Sequence, residues 1–388
     1  MAKVVVFGFD VAEASQVRRI RNIQALGHEV FSFTMRRDSM NAEFVPDWKN
    51  VHLFRTKSWN HLQRLFVIIG SVLKTLPHLK RIAGADVIVA RNFDMLVIAW
   101  AVRTISPYPR PPLVYECLDI HALFTREDLV GRVMRWCERR LLFRTALVVV
   151  SSPGFIRNYF VPVQGYEGAT ALIENKIWFD DHVVPRPSAP RPRNPGAPIV
   201  VGWVGSLRCN PSFRILLGTA DKMGDEIEIH LHGIVHRHFL PDFDEAVVSR
   251  PNIRYFGPYQ YPDGLAEVYR ACDVVWAQDL WQRGANSDWL LPNRIYEASW
   301  FGCPSIAVAG TETGTRVAEG GLGFVVGEAE ASHLVRLLRD LTPEDIDAST
   351  RALLAREQSA FRLMPNELDI ALQMAIAAAQ GRVATLST

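Results

Sequence analysis

The chain has 388 residues, of which 48% are hydrophobic and 22% charged, a length that suits two globular domains and a composition that excludes disordered and fibrous proteins. Residues 1–185 carry 24 Lys and Arg against 17 Asp and Glu, whereas residues 186–388 carry 19 against 24. The net charge of +2 therefore conceals a basic and an acidic half, which indicates that the two halves face different partners.

The first half alternates short apolar strands with amphipathic helices. Strands are predicted where short runs of Val, Leu, Ile or Phe are bounded by polar or turn residues, at 4–9, 30–34, 51–55, 86–90, 113–116 and 147–151. Helical periodicity lies between them, at 14–26, 59–81, 94–104 and 127–144. Continuous apolar strands separated by helices predict a parallel sheet covered on both faces.

A proline-rich segment, residues 185–198, contains six prolines and no periodicity, and we interpret it as a semi-rigid linker. Beyond it the alternation restarts, with strands at 199–204, 227–231, 253–256, 274–277, 305–308 and 323–326. Helices are predicted at 211–223, 264–270, 292–301, 313–318, 331–341 and 343–357, and a last apolar helix at about 367–379.

This pattern predicts an α/β protein made of two similar domains. The first domain spans residues 1–184 and the second 199–360, and residues 361–388 form a C-terminal segment. Two such domains in series predict one cleft between them, because ligands of open parallel sheets bind beside the strand ends.

No leader or membrane-spanning segment is predicted. The first strand follows Lys3 directly, and the longest strongly apolar run, residues 65–73, is far shorter than the roughly 20 residues that span a bilayer. We therefore expect a cytoplasmic protein, either soluble or peripheral on the inner face of the membrane.

Cysteines and histidines predict no metal site and no disulfide framework. The five cysteines lie far apart without paired spacing, at Cys117, Cys137, Cys209, Cys272 and Cys303. His230 and His232 share one face of a predicted strand, but no carboxylate or cysteine stands at ligand spacing from them. We expect no metal and no other cofactor, and metal binding by the histidines is the minor alternative.

The most informative stretch runs from a proline-opened helix into a buried strand. Pro292 suits the first turn of a helix, where its missing N–H costs nothing, and Gly302 is a helix stop. The unpaired N–H groups of Asn293 and Arg294 would then form an anion site. Glu297 is the one acid of this helix.

This stretch resembles a segment of the GT-B glycosyltransferases of family 4 type, in particular those of bacterial exopolysaccharide assembly. The matching residues are Pro292, Asn293, Arg294, Glu297, Gly302, Pro304, Ile306 and Ala307. The resemblance implies a GT-B fold, in which two Rossmann-like parallel-sheet domains face a cleft. It also implies that Glu297 binds the ribose hydroxyls of a nucleotide sugar and that neighbouring backbone amides approach the diphosphate. The last helix would cross back to the first domain, or else form a simple C-terminal cap.

The end of the strand at 199–204 predicts a phosphate contact. Gly205 would let the backbone come close to a phosphate, and Arg208 would neutralise it. The family's Gly-Arg-Leu loop is only partly matched, because Ser206 replaces its arginine and no lysine follows. We therefore assign the missing charge to Arg208 and Arg294, with a simple turn cap as the alternative for Arg208.

The resemblance implies further contacts to the donor. Tyr259 would lie near the base, and Gly233 would end a strand beside the ligand. The family's second acid is missing, because Trp289 stands eight positions before the ribose glutamate. Asp288 would substitute for it, or else be a solvated loop aspartate, and backbone amides from Asp288 to Leu291 would hold the sugar hydroxyls.

Three polar residues at the end of the strand at 113–116 are poorly explained by packing. By resemblance this loop faces the sugar and the acceptor, so that His121 hydrogen-bonds the sugar while Asp119 or Glu116 orients the acceptor hydroxyl. The alternative is a helix cap by Asp119 with a buried histidine.

Two helices of the basic half, 59–81 and 127–144, combine Lys and Arg with apolar residues. They would lie on an anionic leaflet, where each basic residue is worth about 1 kcal/mol, and present a lipid-linked saccharide. The alternative is an ordinary helix with a solvated basic face. No nucleic-acid partner is expected, because aromatic and basic residues do not interleave along a strand.

Together these features predict transfer of a hexose from a UDP- or GDP-sugar, with UDP favoured, to a growing, lipid-linked bacterial polysaccharide. By resemblance the reaction retains the anomeric configuration and needs no metal, since cationic side chains and helix N–H groups stabilise the diphosphate. The alternatives are a sugar-nucleotide epimerase or phosphorylase, and a non-catalytic binding or scaffold subunit, which the departures at Ser206 and Trp289 would favour.

Overall fold

The structure is a computed structural model, and it describes residues 1–37, 43–56, 61–179, 182–194 and 196–379. The chain divides into two compact units. Residues 1–174 form the first unit together with the C-terminal segment that begins at Met364, and residues 175–363 form the second.

The first unit is built on a parallel sheet. Its strands are β1 (Lys3–Gly8), β2 (Glu29–Arg37), β3 (Lys49–Thr56), β4 (Val87–Arg91), β5 (Leu113–Cys117), β6 (Leu147–Val150) and β7 (Thr170–Leu172). All neighbours pair in parallel, in the order β3-β2-β1-β4-β5-β6-β7. Every residue of β4, β5 and β6 is buried, as expected for central strands with helices on both faces.

The helices of the first unit are α1 (Ala14–Ala25), α2 (His61–Thr75), α3 (Leu79–Ala83), α4 (Phe93–Ile105), α5 (Ala122–Thr125), α6 (Leu129–Leu142), α7 (Pro153–Phe155) and α16 (Pro365–Ala379). The predicted helix at 59–81 is thus two helices, and its first two residues lie outside the described part of the chain. A short 3-10 turn containing Pro77 separates α2 from α3, because proline has no N–H for the helix ladder and its ring clashes with the preceding turn.

The C-terminal helix α16 belongs to the first unit, where it packs against α1. The ring of His28 lies 3.1 Å from Oδ1 of Asp369 and ties the helix to the turn before β2. Of the two alternatives for this segment, the structure therefore shows a helix that returns to the first half of the chain.

The second unit repeats the architecture. Its strands are β8 (Ile199–Leu207), β9 (Ile227–Val235), β10 (Ile253–Gly257), β11 (Val274–Trp276), β12 (Ser305–Val308) and β13 (Gly323–Val326), all parallel, in the order β10-β9-β8-β11-β12-β13. Its helices are α8 (Asn210–Met223), α9 (Phe243–Val248), α10 (Leu265–Arg270), α11 (Asn286–Trp289), α12 (Asn293–Trp300), α13 (Glu312–Glu319), α14 (Ala331–Asp340) and α15 (Pro343–Leu354). Successive residues of β8 alternate between two apolar cores, one on each face of the sheet.

The proline-rich segment is part of the second unit and does not link the two units. Arg186 donates to the carbonyl oxygens of Leu353 (2.7 Å) and Arg356 (2.6 Å), and Arg193 donates to Asp273 (2.8 Å). The boundary falls after residue 174, ten residues before the predicted end of the first domain. The proline content alone suggested a linker. Local composition does not show that Arg186 and Arg193 bind residues 80 or more positions away.

Among the described residues, no helix has both the length and the apolar character that crossing a membrane requires.

Candidate functional site

The strand orders locate the candidate site in each unit. In both sheets the order reverses beside the first strand, between β1 and β4 and between β8 and β11. In open parallel sheets, ligands bind outside the carboxyl ends of the strands at this reversal. Helix α12 lies in the connection between the parallel strands β11 and β12, which leaves from the carboxyl edge, so its first turn lies towards that edge of the second sheet.

Two glycines meet at the carboxyl ends of β8 and β9. Gly205 pairs with Gly233, with φ values of 108° and 128°. A Cβ atom on Gly233 would lie 1.8 Å from the carbonyl oxygen of Gly205, so no side chain fits there. A Cβ on Gly205 would meet no atom within 4 Å. The end of β8 is therefore bare backbone beside open space, as close approach of a ligand requires.

Ser206 and Arg208, which follow Gly205 on either side of the buried Leu207, are exposed. The Ser206 hydroxyl lies 2.9 Å from Nε2 of His236. Burial, together with the nearby charge of Arg208, lowers the pKa of His236. Arg208 forms no hydrogen bond or ion pair with any residue that the structure describes, and it is exposed. Its guanidinium is thus available to an anion, and no contact supports the turn-cap alternative.

Helix α12 begins at Asn293, one residue later than predicted. Pro292 has an extended backbone (φ −75°, ψ 148°) and is the N-cap residue. Gly302 follows the helix with φ 73°, the left-handed conformation that ends helices. The half-buried Arg294 makes no hydrogen bond or ion pair within the described ranges. The first turn of α12 therefore combines unpaired N–H groups with an uncommitted cation.

Glu297 lies on the buried side of α12. Its Oε2 accepts a hydrogen bond of 3.1 Å from the hydroxyl of Tyr269 on α10. Burial, reinforced by the Glu297 carboxylate, raises the pKa of Tyr269, so this hydroxyl stays a donor. Tyr269 thus orients the carboxylate. The sequence pattern did not point to Tyr269, because it lies 28 residues before Glu297 on another helix.

The other predicted donor contacts lie around the same helix. Tyr259 is half-buried and packs against the apolar core on the face of α10 and α12. Leu291 is buried, and its carbonyl accepts from Asn175 Nδ2 at 3.1 Å. The Asp288 carboxylate accepts from the Gly284 N–H at 2.8 Å and lies 3.5 Å from Arg283. Asp288 lies on α11 and holds the turn before it, and its Oδ1 is buried, so it is not a solvated loop aspartate. Its sugar contact stays a prediction.

A buried charge cluster occupies the carboxyl ends of β4 and β5 in the first unit. Glu116 accepts from Arg19 (Nη2, 2.7 Å) at one carboxylate oxygen and from Arg91 (Nε, 3.0 Å) at the other. Arg91 also donates to Gln16 at 2.8 Å. Burial opposes the charge of Glu116, but the two arginines together lower its pKa. Both oxygens are occupied, so Glu116 positions the arginines and is not available to an acceptor hydroxyl.

Asp119 and His121 are both exposed on the loop after β5. The Nδ1 of His121 accepts from the Leu123 N–H at 3.2 Å, which makes His121 the cap of α5. The alternative of a cap by Asp119 with a buried histidine is therefore wrong. Of the two acids proposed to orient an acceptor hydroxyl, Asp119 is the exposed one.

Sequence reasoning missed Arg19 and Arg91. Arg91 ends the apolar strand β4, which is the same signal that singled out Glu116 at the end of β5. Arg19 had no such signal, because it lies on an ordinary amphipathic helix 97 residues from its partner.

Comparison with known proteins agrees with this architecture. The sequence profile described as Glycosyl transferase 4-like domain matches residues 14–167. Sucrose-phosphate synthase from Thermosynechococcus elongatus superposes with a TM-score of 0.70 at 16% identity, covering 98% of this chain and 99% of that one. HepE from Anabaena, solved with UDP-glucose, superposes with a TM-score of 0.66 at 15% identity, covering 98% of this chain and 100% of the other. The fold is GT-B.

A sequence relative gives the family. The succinoglycan biosynthesis protein ExoL of Rhizobium meliloti (strain 1021) is 35% identical over 346 residues, which cover 88% of this chain and 85% of ExoL. The chain therefore belongs, with ExoL, to the GT-B glycosyltransferases of family 4 type. It is a glycosyltransferase.

Proposed function

We propose that this glycosyltransferase transfers a hexose from a UDP-sugar to a growing bacterial exopolysaccharide. The name of ExoL supports the polysaccharide, and the UDP and UDP-glucose complexes of HepE support the donor. The observation that carries the proposal is the carboxyl edge of the second sheet. Strands end and a helix begins at that edge. These elements carry the backbone of Gly205, the side chain of Arg294 and the buried carboxylate of Glu297, which Tyr269 orients.

The donor would bind along this edge. The ribose hydroxyls would donate to Glu297, whose orientation Tyr269 maintains. The diphosphate would lie against Gly205 and the first turn of α12, where N–H groups and Arg294 offer positive charge. Arg208 would add a second cation. Such preorganised donors stabilise the charge that develops as UDP departs.

The proposal includes a retaining, metal-independent reaction. Its charge stabilisation comes from Arg208, Arg294 and backbone N–H groups, which are not committed to other described residues. We assign the acceptor hydroxyl to Asp119 and a sugar contact to His121, since both side chains are exposed. Glu116 acts on this site through the arginines that it binds.

Replacing Glu297 with glutamine should weaken binding of UDP and UDP-glucose by about 10- to 100-fold, because a charge-assisted hydrogen bond is worth about 1.5–3 kcal/mol. Isothermal titration calorimetry measures the effect. Glu267→Gln is the matched control, since Glu267 is an exposed acid on the neighbouring helix α10 and should bind like the wild type. If Glu297→Gln keeps the wild-type melting temperature and the wild-type dissociation constant, the ribose assignment is wrong.

The lipid-linked acceptor would be met at a membrane surface, and α2 supports this part of the proposal. Among its described side chains, Leu65, Phe66, Ile69 and Leu73 are exposed and apolar, and Lys74 is exposed beside them. Its cations are held by the protein, because Arg64 binds Asp94 at 2.7 Å and Lys74 binds the Leu53 carbonyl. The exposed apolar side chains of α2 support contact with a membrane surface. Helix α6 exposes Trp136 beside Arg140.

Removing two apolar side chains of α2, Phe66→Ser with Leu73→Ser, should reduce flotation with anionic liposomes at least tenfold, because burying each such side chain contributes about 1.5–3 kcal/mol. The control is Val248→Ser, since Val248 is 87% exposed but lies in the second unit. Flotation of the double variant at the wild-type level would contradict a membrane role for α2.

A further inference from the structure

Three potential metal ligands meet inside the second unit. One ring nitrogen each of His230 and His232 and the Sγ of Cys272 all lie within 4.8 Å of one another. The residues are 8%, 7% and 5% exposed, so the cluster is internal and not a surface coincidence. The sequence argument against a metal rested on the absence of a cysteine near the histidines, and the fold supplies one.

The sheet explains how Cys272 reaches the histidines. Both histidines lie on one face of β9, and Gly202 on β8 is the register partner of His230. Cys272 stands just before β11, on the other side of β8. Its Sγ lies 2.6 Å from the position of a Cβ on Gly202, so it occupies the space that a side chain there would fill. The thiol therefore crosses over β8 towards β9.

The histidines carry the second observation. His230 Nδ1 and His232 Nε2 are buried nitrogens with no hydrogen-bond partner among the residues that the structure describes. Leaving a polar atom in this state costs about 1–3 kcal/mol, so such atoms call for an explanation. The other nitrogen of His230, Nε2, lies 3.0 Å from the Glu228 carboxylate. A histidine that binds a metal through one nitrogen and a carboxylate through the other is a recurring arrangement.

We propose that His230, His232 and Cys272 bind a zinc ion and that Glu228 orients His230. Two imidazoles and a thiolate suit zinc, whereas Mg²⁺ and Ca²⁺ prefer oxygen ligands. Tetrahedral coordination with Zn–N of about 2.0 Å and Zn–S of about 2.3 Å requires ligand atoms about 3.3–3.5 Å apart, so the three side chains would draw together on binding. The fourth position is left for water.

The surroundings fit an enclosed ion. The ring of Phe256 stacks on His232, with centroids 4.6 Å apart and planes at 6°, and lies 4.8 Å from His230. An apolar cover of this kind limits access of solvent to the ion. The ion would join β9 to the segment that enters β11 and so tie together three adjacent strands. It is separate from the proposed transfer chemistry, which requires no metal.

Binding should exchange the thiol proton of Cys272 for the ion, so that each zinc ion releases one proton to the buffer. Protein freed of metal with a chelator should bind one equivalent of Zn²⁺ with a sub-micromolar dissociation constant in calorimetry, and heats in two buffers should report the proton. Cobalt in place of zinc should show a thiolate-to-metal charge-transfer band. Absence of a bound equivalent, or a cobalt complex without this band, would overturn the proposal on the wild-type protein alone.

Variants identify the ligands. Cys272→Ser should lose the band, and His232→Gln should lower the affinity at least tenfold, while the control Cys209→Ser should keep both, because Cys209 is a buried cysteine of the same unit bonded to Ser212. His333→Gln tests the exposed cluster of Glu328, Glu330 and His333. Retention of the band in Cys272→Ser, or its loss in His333→Gln alone, would place the ion elsewhere and refute the site.

Discussion

Glu116→Gln should lower the free energy of unfolding by about 3–5 kcal/mol, the cost of removing one partner from a buried ion pair. Arg19 and Arg91 are 7% and 2% exposed, and the Glu116 carboxylate is the anion that holds both. Glutamine keeps one acceptor but no charge, so two buried guanidinium groups would repel each other. One nitrogen of Arg19, Nη1, already lacks a hydrogen-bond partner in the described part of the chain, and it would gain none.

Chemical denaturation at neutral pH measures this effect, and Asp119→Asn is the control. Asp119 is an exposed acid three residues further along, whose replacement should change stability by no more than about 0.5 kcal/mol. Because the pKa of Glu116 is lowered by folding, its contribution is present above the unfolded pKa of about 4.3 and disappears as the pH falls through the lower folded value. The two proteins should therefore converge in acid. Equal stability at neutral pH would show that the cluster is not held by Glu116.

Gly233→Ala should destabilise the second unit by at least about 3 kcal/mol, since it combines backbone strain with a broken strand contact. The new methyl group would lie 1.8 Å from the Gly205 carbonyl oxygen, and φ is 128°, a conformation that L-residues rarely adopt. Relief requires β8 and β9 to separate at their carboxyl ends. Donor binding should weaken along with stability, because the same movement displaces Gly205.

Gly224→Ala separates the two causes of that effect. Gly224 also has a positive φ, 57°, but a Cβ there would meet no atom within 4 Å. We expect a smaller loss, of about 1–3 kcal/mol, from the backbone strain alone, because φ 57° with ψ −123° is a conformation that L-residues rarely adopt. Thermal unfolding with and without UDP-glucose compares the two variants. If they are equally stable, the contact between Gly233 and Gly205 is not the tight point that the structure shows.

Much of the fold followed from periodicity. All twelve predicted strands are present, because each is a short apolar run that a doubly covered sheet requires. The strand β7 was missed, since Thr170–Leu172 has three residues, none of them buried. The boundary between the units was misplaced, because a proline-rich composition does not show that Arg186 and Arg193 bind residues of the second unit.

Some residues of the candidate site could likewise be predicted from the sequence, and others could not. The motif around Glu297, with Pro292 before it and Gly302 after it, could be predicted because helix starts and glycine stops have short sequence signatures. The donor roles of these residues stay predictions. The hydrogen bond from Tyr269 to Glu297 has no such signature, since a contact between two helices depends on how they pack.

The alternation of strands and helices, the parallel class of both sheets and the family motif could all be predicted from the amino-acid sequence, because they depend on short-range patterns of apolar residues, glycine and proline. The fold was needed to show that Glu116 is bound by two arginines, that α2 exposes apolar side chains, and that Cys272 lies beside His230 and His232. Those facts depend on which strands become neighbours, and pairing across β8 joins residues about 40 positions apart that no local pattern connects.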